Sequence, residues 1–320
     1  MRIIDHIKQA NAIGKTTFSF EILPPTKGKN ISGLYRVIDK LKEFDPKYIN
    51  ITTHHSVYEE SLNNDGSLNK AYIRKRPGTV AIAAAIQHRY GITAVPHIIC
   101  SGFSLEETEY ALIDLHFLGI ENLLLLQGDN KGKGNLLVPS SASHAHATDL
   151  IEQVNAFNNG ISLDGSPFEA PHIPFSYGVA GYPEMHEEAI SLDSDMHYLK
   201  QKIALGADYI VTQMFFDNQR YFEFVDRCRA EGITVPIIPG IKPINFCSQR
   251  TVIPKIFHTS FPEDLDKALS QCTENSQAVE VGVEWSTTQC RELITKGVPG
   301  LHFYSLLASE SVYRIAQSLY

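Results

Sequence analysis

The sequence predicts an α/β protein of the (β/α)8 barrel (TIM barrel) class, folded as a single domain over residues 1–320, and three observations carry this. Eight short apolar, β-rich runs alternate with eight helical patterns along the chain. No linker rich in Pro, Gly or Ser separates two halves. The stretch at the end of the first strand, where a doubly wound dinucleotide-binding sheet carries Gly-x-Gly-x-x-Gly, instead reads "EILPPTKGKN" (21–30).

The N-terminus, "MRIIDHIKQANAIGK", places Ile3, Ile4 and Ile7 at helical spacing with charges between them, and it lacks the unbroken apolar core of a secretory signal. The first strand, "TFSFEIL" (17–23), alternates: Thr17, Ser19, Glu21 and Leu23 share one face, and Phe18, Phe20 and Ile22 the other. The bulky face suits packing against helices, so Glu21 is expected to point into the barrel mouth. Pro24 and Pro25 stop strand pairing just past it and stiffen the turn.

The remaining strands are expected at "YINITTH" (48–54), "TAVPHIIC" (93–100), "NLLLLQG" (122–128), "FSYGVAGY" (175–182), "YIVTQM" (209–214), "VPIIPGI" (235–241) and "LHFYSL" (301–306). Helical patterns such as "GTVAIAAAIQHRY" and "NQRYFEFVDRCRAEG" lie between them, with a longer helical stretch from about 248 to 297 and a last helix near 309–319. "SLEETEYALIDLHFLG" carries its own start and stop signals: Ser104 with Glu107 forms a capping box, and Gly119 follows the last turn.

A chain that is 43% hydrophobic over 320 residues can bury a large core. Its formal net charge of -8 leaves no broad basic footprint for nucleic acid and no polybasic membrane patch; the short cluster "RKRPG" (74–78) reads as solvated loop. No run approaches the ~20 apolar residues of a membrane span, so a cytoplasmic protein is expected. The five cysteines are scattered and without Cys-x-x-Cys spacing, which argues against a disulfide framework and a structural zinc site and leaves buried thiols.

Active sites in this fold class collect at the C-terminal ends of the strands. There Glu21 would be partly desolvated, which raises a carboxyl pKa and suits it to general acid catalysis, or else to a structural salt bridge across the barrel. The second strand ends in "TTHH" (52–55), the third contains His97, and the fourth is followed by Asp129 beyond Gly128. Tyr182 and His186 follow the fifth, and Thr212 and Gln213 end the sixth. A metal-dependent hydrolase using His54, His55, His97 and Asp129 is an alternative, although no His-x-x-x-His or His-Glu-x-x-His spacing fixes two ligands on one helix. "GDNKGKGN" (128–135) lacks phosphate-loop and dinucleotide fingerprints and reads as a surface loop.

Taken together, "FSFEILPP", "YINITTHH", "VPHIIC", "LLLLQGD", "GYPEMHEEA", "GADYIVTQMFFD", "PIIPGIKP" and "LHFYSL" resemble the methylenetetrahydrofolate reductase family in order and spacing over nearly the whole chain. The resemblance implies a barrel that binds FAD without a Rossmann domain. It also implies reduction of 5,10-methylenetetrahydrofolate to 5-methyltetrahydrofolate with NADH or NADPH, which feeds methionine synthesis. Glu21 matches the family's general acid, and Asp129 matches the carboxylate beside flavin and pterin. Cofactor contacts would fall on Thr53, His55, His97, Gln127, Gly128, Asp129, Ala147, Tyr182, His186, Ala189, Asp195 and Lys202, and substrate contacts on Thr52, Gln213 and Gln249, with no metal.

Two departures stand out: many members have arginine where this chain has Gln127, and many carry an arginine at the position of Ala308. The first removes a cationic cofactor contact, and the second a contact to the substrate. They make a folate- or flavin-binding module without turnover a third reading. The end of the chain near residue 320 implies that the S-adenosylmethionine-sensing domain of eukaryotic members is missing, so no such feedback is expected. Small-molecule partners and a homo-oligomer complete the expectation.

Overall fold

A computed structural model describes residues 1–54, 57–63, 65, 67–128, 143–186, 188–306 and 309–320, with the side chains of 57–62 and 68–73 left aside. The chain opens with α1 (Ile3–Ala12), β1 (Thr17–Ile22), α2 (Ser32–Leu41) and β2 (Tyr48–Ile51), followed by a hairpin of β3 (Val57–Leu62) and β4 (Leu68–Ile73). The next elements are α3 (Thr79–Tyr90), β5 (Thr93–Ile99), α4 (Leu105–Phe117), β6 (Asn122–Leu126), α5 (Ala147–Asn158), β7 (Ser176–Gly181), α6 (Leu192–Ala204), β8 (Tyr209–Thr212) and α7 (Asn218–Ala230). Then come β9 (Ile237–Ile238), β10 (Gly240–Ile241), α8 (Gln249–Phe257), α9 (Glu263–Ser270), α10 (Asn275–Thr295), β11 (Gly300–Leu306) and α11 (Ser309–Gln317).

Nine strands hydrogen-bond in the order β10-β11-β1-β2-β5-β6-β7-β8-β9, and the antiparallel pair β3-β4 stands apart from them. The ladders β1-β11, β10-β11, β5-β6, β7-β8 and β8-β9 are parallel, as crossover helices require. By contact density the chain forms two compact units. One comprises Met1–Ile22, Tyr35–Ile49 and Gly178–Tyr320; the other comprises Leu23–Leu34 and Asn50–Tyr177. The division passes through β2 and β7, each of which gives residues to both.

In the first unit, β1 is buried along its whole length, and its two faces do different work. Phe18 packs 5.6 Å from Phe303, 5.5 Å from Tyr320 and 6.0 Å from Phe44, ring centre to ring centre. Burial of Phe18 and Phe20 contributes about 1.5–3 kcal/mol each, and both are almost wholly removed from solvent. The opposite face carries polar groups that must find partners: Ser19 Oγ donates to Leu301 O at 3.2 Å and lies 3.0 Å from His302 Nδ1. The expected alternation is therefore observed for Phe18 and Ser19.

In the second unit, Val95, Leu123 and Leu125 on β5 and β6 are buried together with Leu112 and Leu115 of α4 and Leu150, Ile151 and Val154 of α5. The capping box expected for α4 is present: Glu107 N donates to Ser104 Oγ at 3.1 Å, and Ser104 N donates to Glu107 Oε2 at 3.0 Å. Gly119 follows with φ +64, the left-handed turn that ends the helix.

Two expectations are corrected, and one element is new. The seventh strand is two short pieces, β9 and β10, interrupted at Pro239, whose ring nitrogen cannot donate to a ladder. The helical stretch 248–297 is three helices: His258 turns left-handed (φ 53) after α8, Pro262 opens α9, and Glu274 with Gln277 caps α10. The hairpin β3-β4 went unanticipated. Its turn is set by Asp65 Oδ1, which accepts from Ser67 N at 2.9 Å and Ser67 Oγ at 2.6 Å.

Candidate active site

Within the first unit, the C-terminal end of β1 holds Glu21, 6% exposed. Its neighbours follow from strand register. Both Ser19 and Gly240 pair with His302, and beyond that level the Glu21 charge acts on Lys242 and on Tyr304, whose carbonyl accepts from Lys242. The β1-β11 ladder shifts register between Phe20 and Ile22, so that Ile22 pairs with Leu306; bulges of this kind turn a side chain toward a site. Ser305 Oγ donates to the Glu21 carbonyl and fixes the backbone there.

Lys242 is 8% exposed, and its Nζ donates to Tyr304 O at 3.1 Å. Burial pulls the ammonium below its ordinary range, and the Glu21 charge pulls it back. Tyr304 Oη donates to Thr212 O at 2.6 Å. Burial, with help from Glu21 and Tyr182, pushes this phenol well above 10, so it stays neutral. Gly240 N donates to Thr212 Oγ1 at 3.0 Å, which ties β10 to the end of β8.

Gln213 follows directly: its N–H donates to Gly181 O at 2.8 Å, and its Oε1 accepts from Met214 N at 2.9 Å. Gln249 sits at the start of α8, where its Oε1 accepts from Asn245 N at 2.7 Å and Phe246 N at 3.0 Å. Its side chain therefore builds the preceding loop.

A second cluster in the same unit surrounds a narrow cleft of about 10 Å³, room for roughly one water molecule, lined by Tyr182, Asp195, Met196, Lys202, Phe224 and Arg227 among others. Tyr182 and His186 meet edge to face with centroids 4.6 Å apart, and the His186 N–H donates to Asp195 Oδ2 at 3.1 Å. Ala189 N donates to His186 O at 3.0 Å, which closes that turn. Lys202 Nζ donates to Ala180 O at 3.0 Å. Burial pulls the Lys202 pKa down to about 8, against the smaller upward pull of Asp195. An enclosed ammonium with one carbonyl acceptor is a ready partner for an anionic ligand group.

The second unit holds the other expected positions. Thr53 Oγ1 donates to His97 O, and Thr52 beside it is half-buried. His97 is 5% exposed; burial, with a smaller contribution from His54, pushes its pKa down to about 3, so the ring is neutral. Gly128 has φ +89, and a Cβ there would lie 3.1 Å from Ser101 Cβ and 3.3 Å from Ile99 Cβ. The neighbouring backbone is drawn in by Ser101 N donating to Gln127 O at 3.0 Å. A side chain at position 128 would press on both neighbours, and the positive φ favours glycine. Ala147 is the first residue of α5, whose start Asp149 caps by accepting from Ala145 N at 3.1 Å and His146 N at 3.0 Å. His55, Asp129 and Ala308 lie outside the described residues.

The first unit therefore brings Glu21, Tyr304, Thr212 and Gln213 to one end of its strands and gathers Tyr182, Asp195 and Lys202 around a cleft, with His186 against Tyr182 and Asp195. Sequence reading passed over Lys242 and Tyr304. The signal was present: Lys242 interrupts the apolar run "PIIPGIKP" in step with Gly240. Among the described residues no three His, Cys, Asp or Glu side chains are placed to hold a metal ion, and no helix is long and apolar enough to cross a membrane.

Comparison with known proteins places this architecture. A solved structure of an uncharacterised protein from Clostridium thermocellum, described as binding two copies of 5-methyl-5,6,7,8-tetrahydrofolic acid, superposes with a TM-score of 0.57 at 14% identity, covering 98% of this chain and 97% of that one. The likeness fits the (β/α)8 barrel class that the parallel strand order and intervening helices define. Methylenetetrahydrofolate reductase (NADH) 1 of Arabidopsis thaliana is 30% identical over 329 residues, 100% of this chain and 51% of that protein. The chain thus spans about half the length of the plant relatives it matches. The 5,10-methylenetetrahydrofolate reductase of Escherichia coli K12 is 28% identical over 97% of this chain and 93% of its own length. A sequence model of methylenetetrahydrofolate reductase matches residues 6–320, and the chain belongs to that family.

Proposed function

We propose that this chain reduces 5,10-methylenetetrahydrofolate to 5-methyltetrahydrofolate, with FAD as cofactor and NADH or NADPH as reductant. The observation that carries the reading is Glu21, a carboxyl group buried at the C-terminal end of the first strand in a chain of this family. A bound flavin supplies the two-electron carrier that accepts hydride from the nicotinamide and passes it to the folate.

The residues present fit such a group. Lys202 holds an enclosed ammonium that a pyrophosphate would keep charged, Tyr182 and His186 offer ring surface beside it, and Asp195 is held at the rim by the His186 N–H. In the second unit, Gly128 and the neutral His97 beside Thr53 are assigned cofactor contacts on the family resemblance.

Opening the five-membered ring of the folate requires a proton on a poorly basic amine nitrogen, and Glu21 is assigned that transfer. The carboxyl proton moves to the amine, the ring C–N bond breaks, and a 5-iminium cation remains, which accepts hydride. Gln213 is assigned the contact that orients the pterin or the nicotinamide amide, and Thr52 a contact to the nicotinamide. Asp129 is assigned the carboxylate that stabilises the cation.

The test is an anaerobic spectrum of the flavin-loaded protein. NADH or NADPH should bleach the flavin absorbance, and methylenetetrahydrofolate should restore it with formation of methyltetrahydrofolate. A flavin that neither nicotinamide bleaches would overturn the assignment; bleaching without recovery would leave a flavin reductase for another acceptor.

A further inference from the structure

We propose that Lys242 is a positioning residue for Glu21: its ammonium makes the Glu21 carboxyl a stronger acid and stabilises the carboxylate left when the proton passes to the substrate. The proposal rests on the reading of Glu21 as proton donor and adds what sets the strength of that donor. In the step, the proton leaves a Glu21 carboxyl oxygen for the substrate nitrogen. Glu21 becomes a carboxylate, and Lys242 remains an ammonium throughout.

Geometry carries the argument. β1 and β10 flank β11, and both are registered on His302; just beyond that level, Lys242 Nζ reaches Tyr304 O, and the Glu21 charge acts on both Lys242 and Tyr304. Both are nearly buried, at 6% and 8% exposure. Neither strand can slide: Lys242 Nζ is tied to Tyr304 O at 3.1 Å, Ser305 Oγ to the Glu21 carbonyl, and Tyr304 Oη to Thr212 O at 2.6 Å. A lysine buried only to brace Tyr304 O would be an expensive way to make one hydrogen bond, since a neutral donor could do it without desolvating a charge. A buried carboxylate whose charge reaches it supplies the missing reason.

The other titratable groups near Glu21 do not substitute for Lys242. Among the described residues they are Tyr304 and His302 on β11, Tyr48 on β2, which stacks on His302 at 6.4 Å, and Tyr182 after β7, which bears on Tyr304. Burial pushes the Tyr48 and Tyr304 phenols up, so neither carries charge at neutral pH. His302 pairs with Ser19 in the layer below. Among the described residues near Glu21, Lys242, just past the end of β10, brings a formal positive charge, and Glu21 in turn acts on its pKa.

The expected size follows from spacing. Strands lie about 4.8 Å apart, so β1 and β10 are separated by about 10 Å and the charged ends can approach to about 8 Å. At an effective dielectric near 20, unit charges about 8 Å apart shift a carboxyl by about 1.5 pH units.

Glu21 can be followed directly by isotope-edited NMR of glutamate carboxyl groups in the ligand-free protein, its signal identified by its loss in Glu21→Gln. Lys242→Met and Lys242→Gln, which keep bulk without charge, should raise the Glu21 midpoint by about one pH unit or more, whereas Lys242→Arg should hold it within about 0.3. In the flavin-loaded enzyme, the pH above which folate reduction falls away should rise by the same amount in the uncharged variants. A Glu21 midpoint that stays put in whichever uncharged variant folds would overturn the proposal. Failure of the proton-donor reading is a separate result: Glu21→Gln would then retain folate reduction, while the midpoint in Lys242→Met would still move.

Discussion

Gly240→Ala perturbs the support beneath this site without touching any residue assigned to chemistry. A Cβ at position 240 would sit 2.3 Å from Thr212 O, 2.5 Å from Tyr304 Cε2 and 2.8 Å from Tyr304 Oη. None of these atoms is a loose chain end. Thr212 O is backbone at the end of β8, and the Tyr304 ring is pinned by its own 2.6 Å bond to that same oxygen. Relief therefore requires β10 to move from β8 or Tyr304 to leave its partner. Overpacking costs about 1–3 kcal/mol, and the buried Gly240 N–H, which now donates to Thr212 Oγ1 at 3.0 Å, costs about 1–3 kcal/mol more if it is left without an acceptor. The sum is about 2–6 kcal/mol, which in a chain of 320 residues, at about 1.5 °C per kcal/mol, lowers the melting temperature by roughly 3–9 °C. Thermal unfolding followed by circular dichroism measures it. Gly78→Ala is the reference, because nothing lies within 4 Å of a Cβ there and its change should stay below about 1 kcal/mol. If Gly240→Ala melts with the parent protein, the close approach of β8, β10 and Tyr304 described above is wrong.

Further outcomes follow from the buried bases. The Lys202 pKa near 8 lies below the ordinary 10.5, so between these values the unfolded chain binds more protons and the ligand-free protein gains stability as pH rises. An anionic ligand needs the opposite state: ADP should bind about tenfold more weakly at pH 9 than near neutrality, and Lys202→Met should flatten that dependence in calorimetric titrations. His97, pushed down to about 3 from 6.5, is neutral when folded and protonated when unfolded in that window, so it withdraws stability as pH falls below 6.5. Denaturant titrations from pH 6.5 to 4 should show the parent losing about 1.4 kcal/mol per pH unit more than His97→Asn.

Much of this arrangement is legible from residue order, because strand alternation is a strong constraint. "TFSFEI" sends two phenylalanines one way and Glu21 the other, and the structure keeps that division at Phe18 and Ser19. Helix boundaries are legible where a cap is local, as at Ser104 and Glu107. What sequence reading loses is set by contacts distant along the chain. The tie of Tyr304 to Thr212 spans 92 residues, and the approach of Lys242 to Glu21 exists only through the pairing of β1 and β10 with β11. The hairpin 57–73 escaped for a different reason: a two-stranded unit outside the main sheet order leaves no imprint on a repeating strand-helix pattern. Gln249 adds a role that residue order does not show: at a position matched to substrate, its carbonyl oxygen accepts from two backbone N–H groups of its own loop.

The central claim concerns one proton, and separating the two half-reactions in Glu21→Gln tests it most directly. The amide keeps the size of the side chain and its place on β1 but has no proton to give. Flavin reduction by NADH should proceed within about twofold of the parent rate, while reoxidation by methylenetetrahydrofolate should fall by about 10²–10⁴-fold, the span of general acid catalysis. Equal losses in both half-reactions would contradict the account and return Glu21 to a structural role on β1.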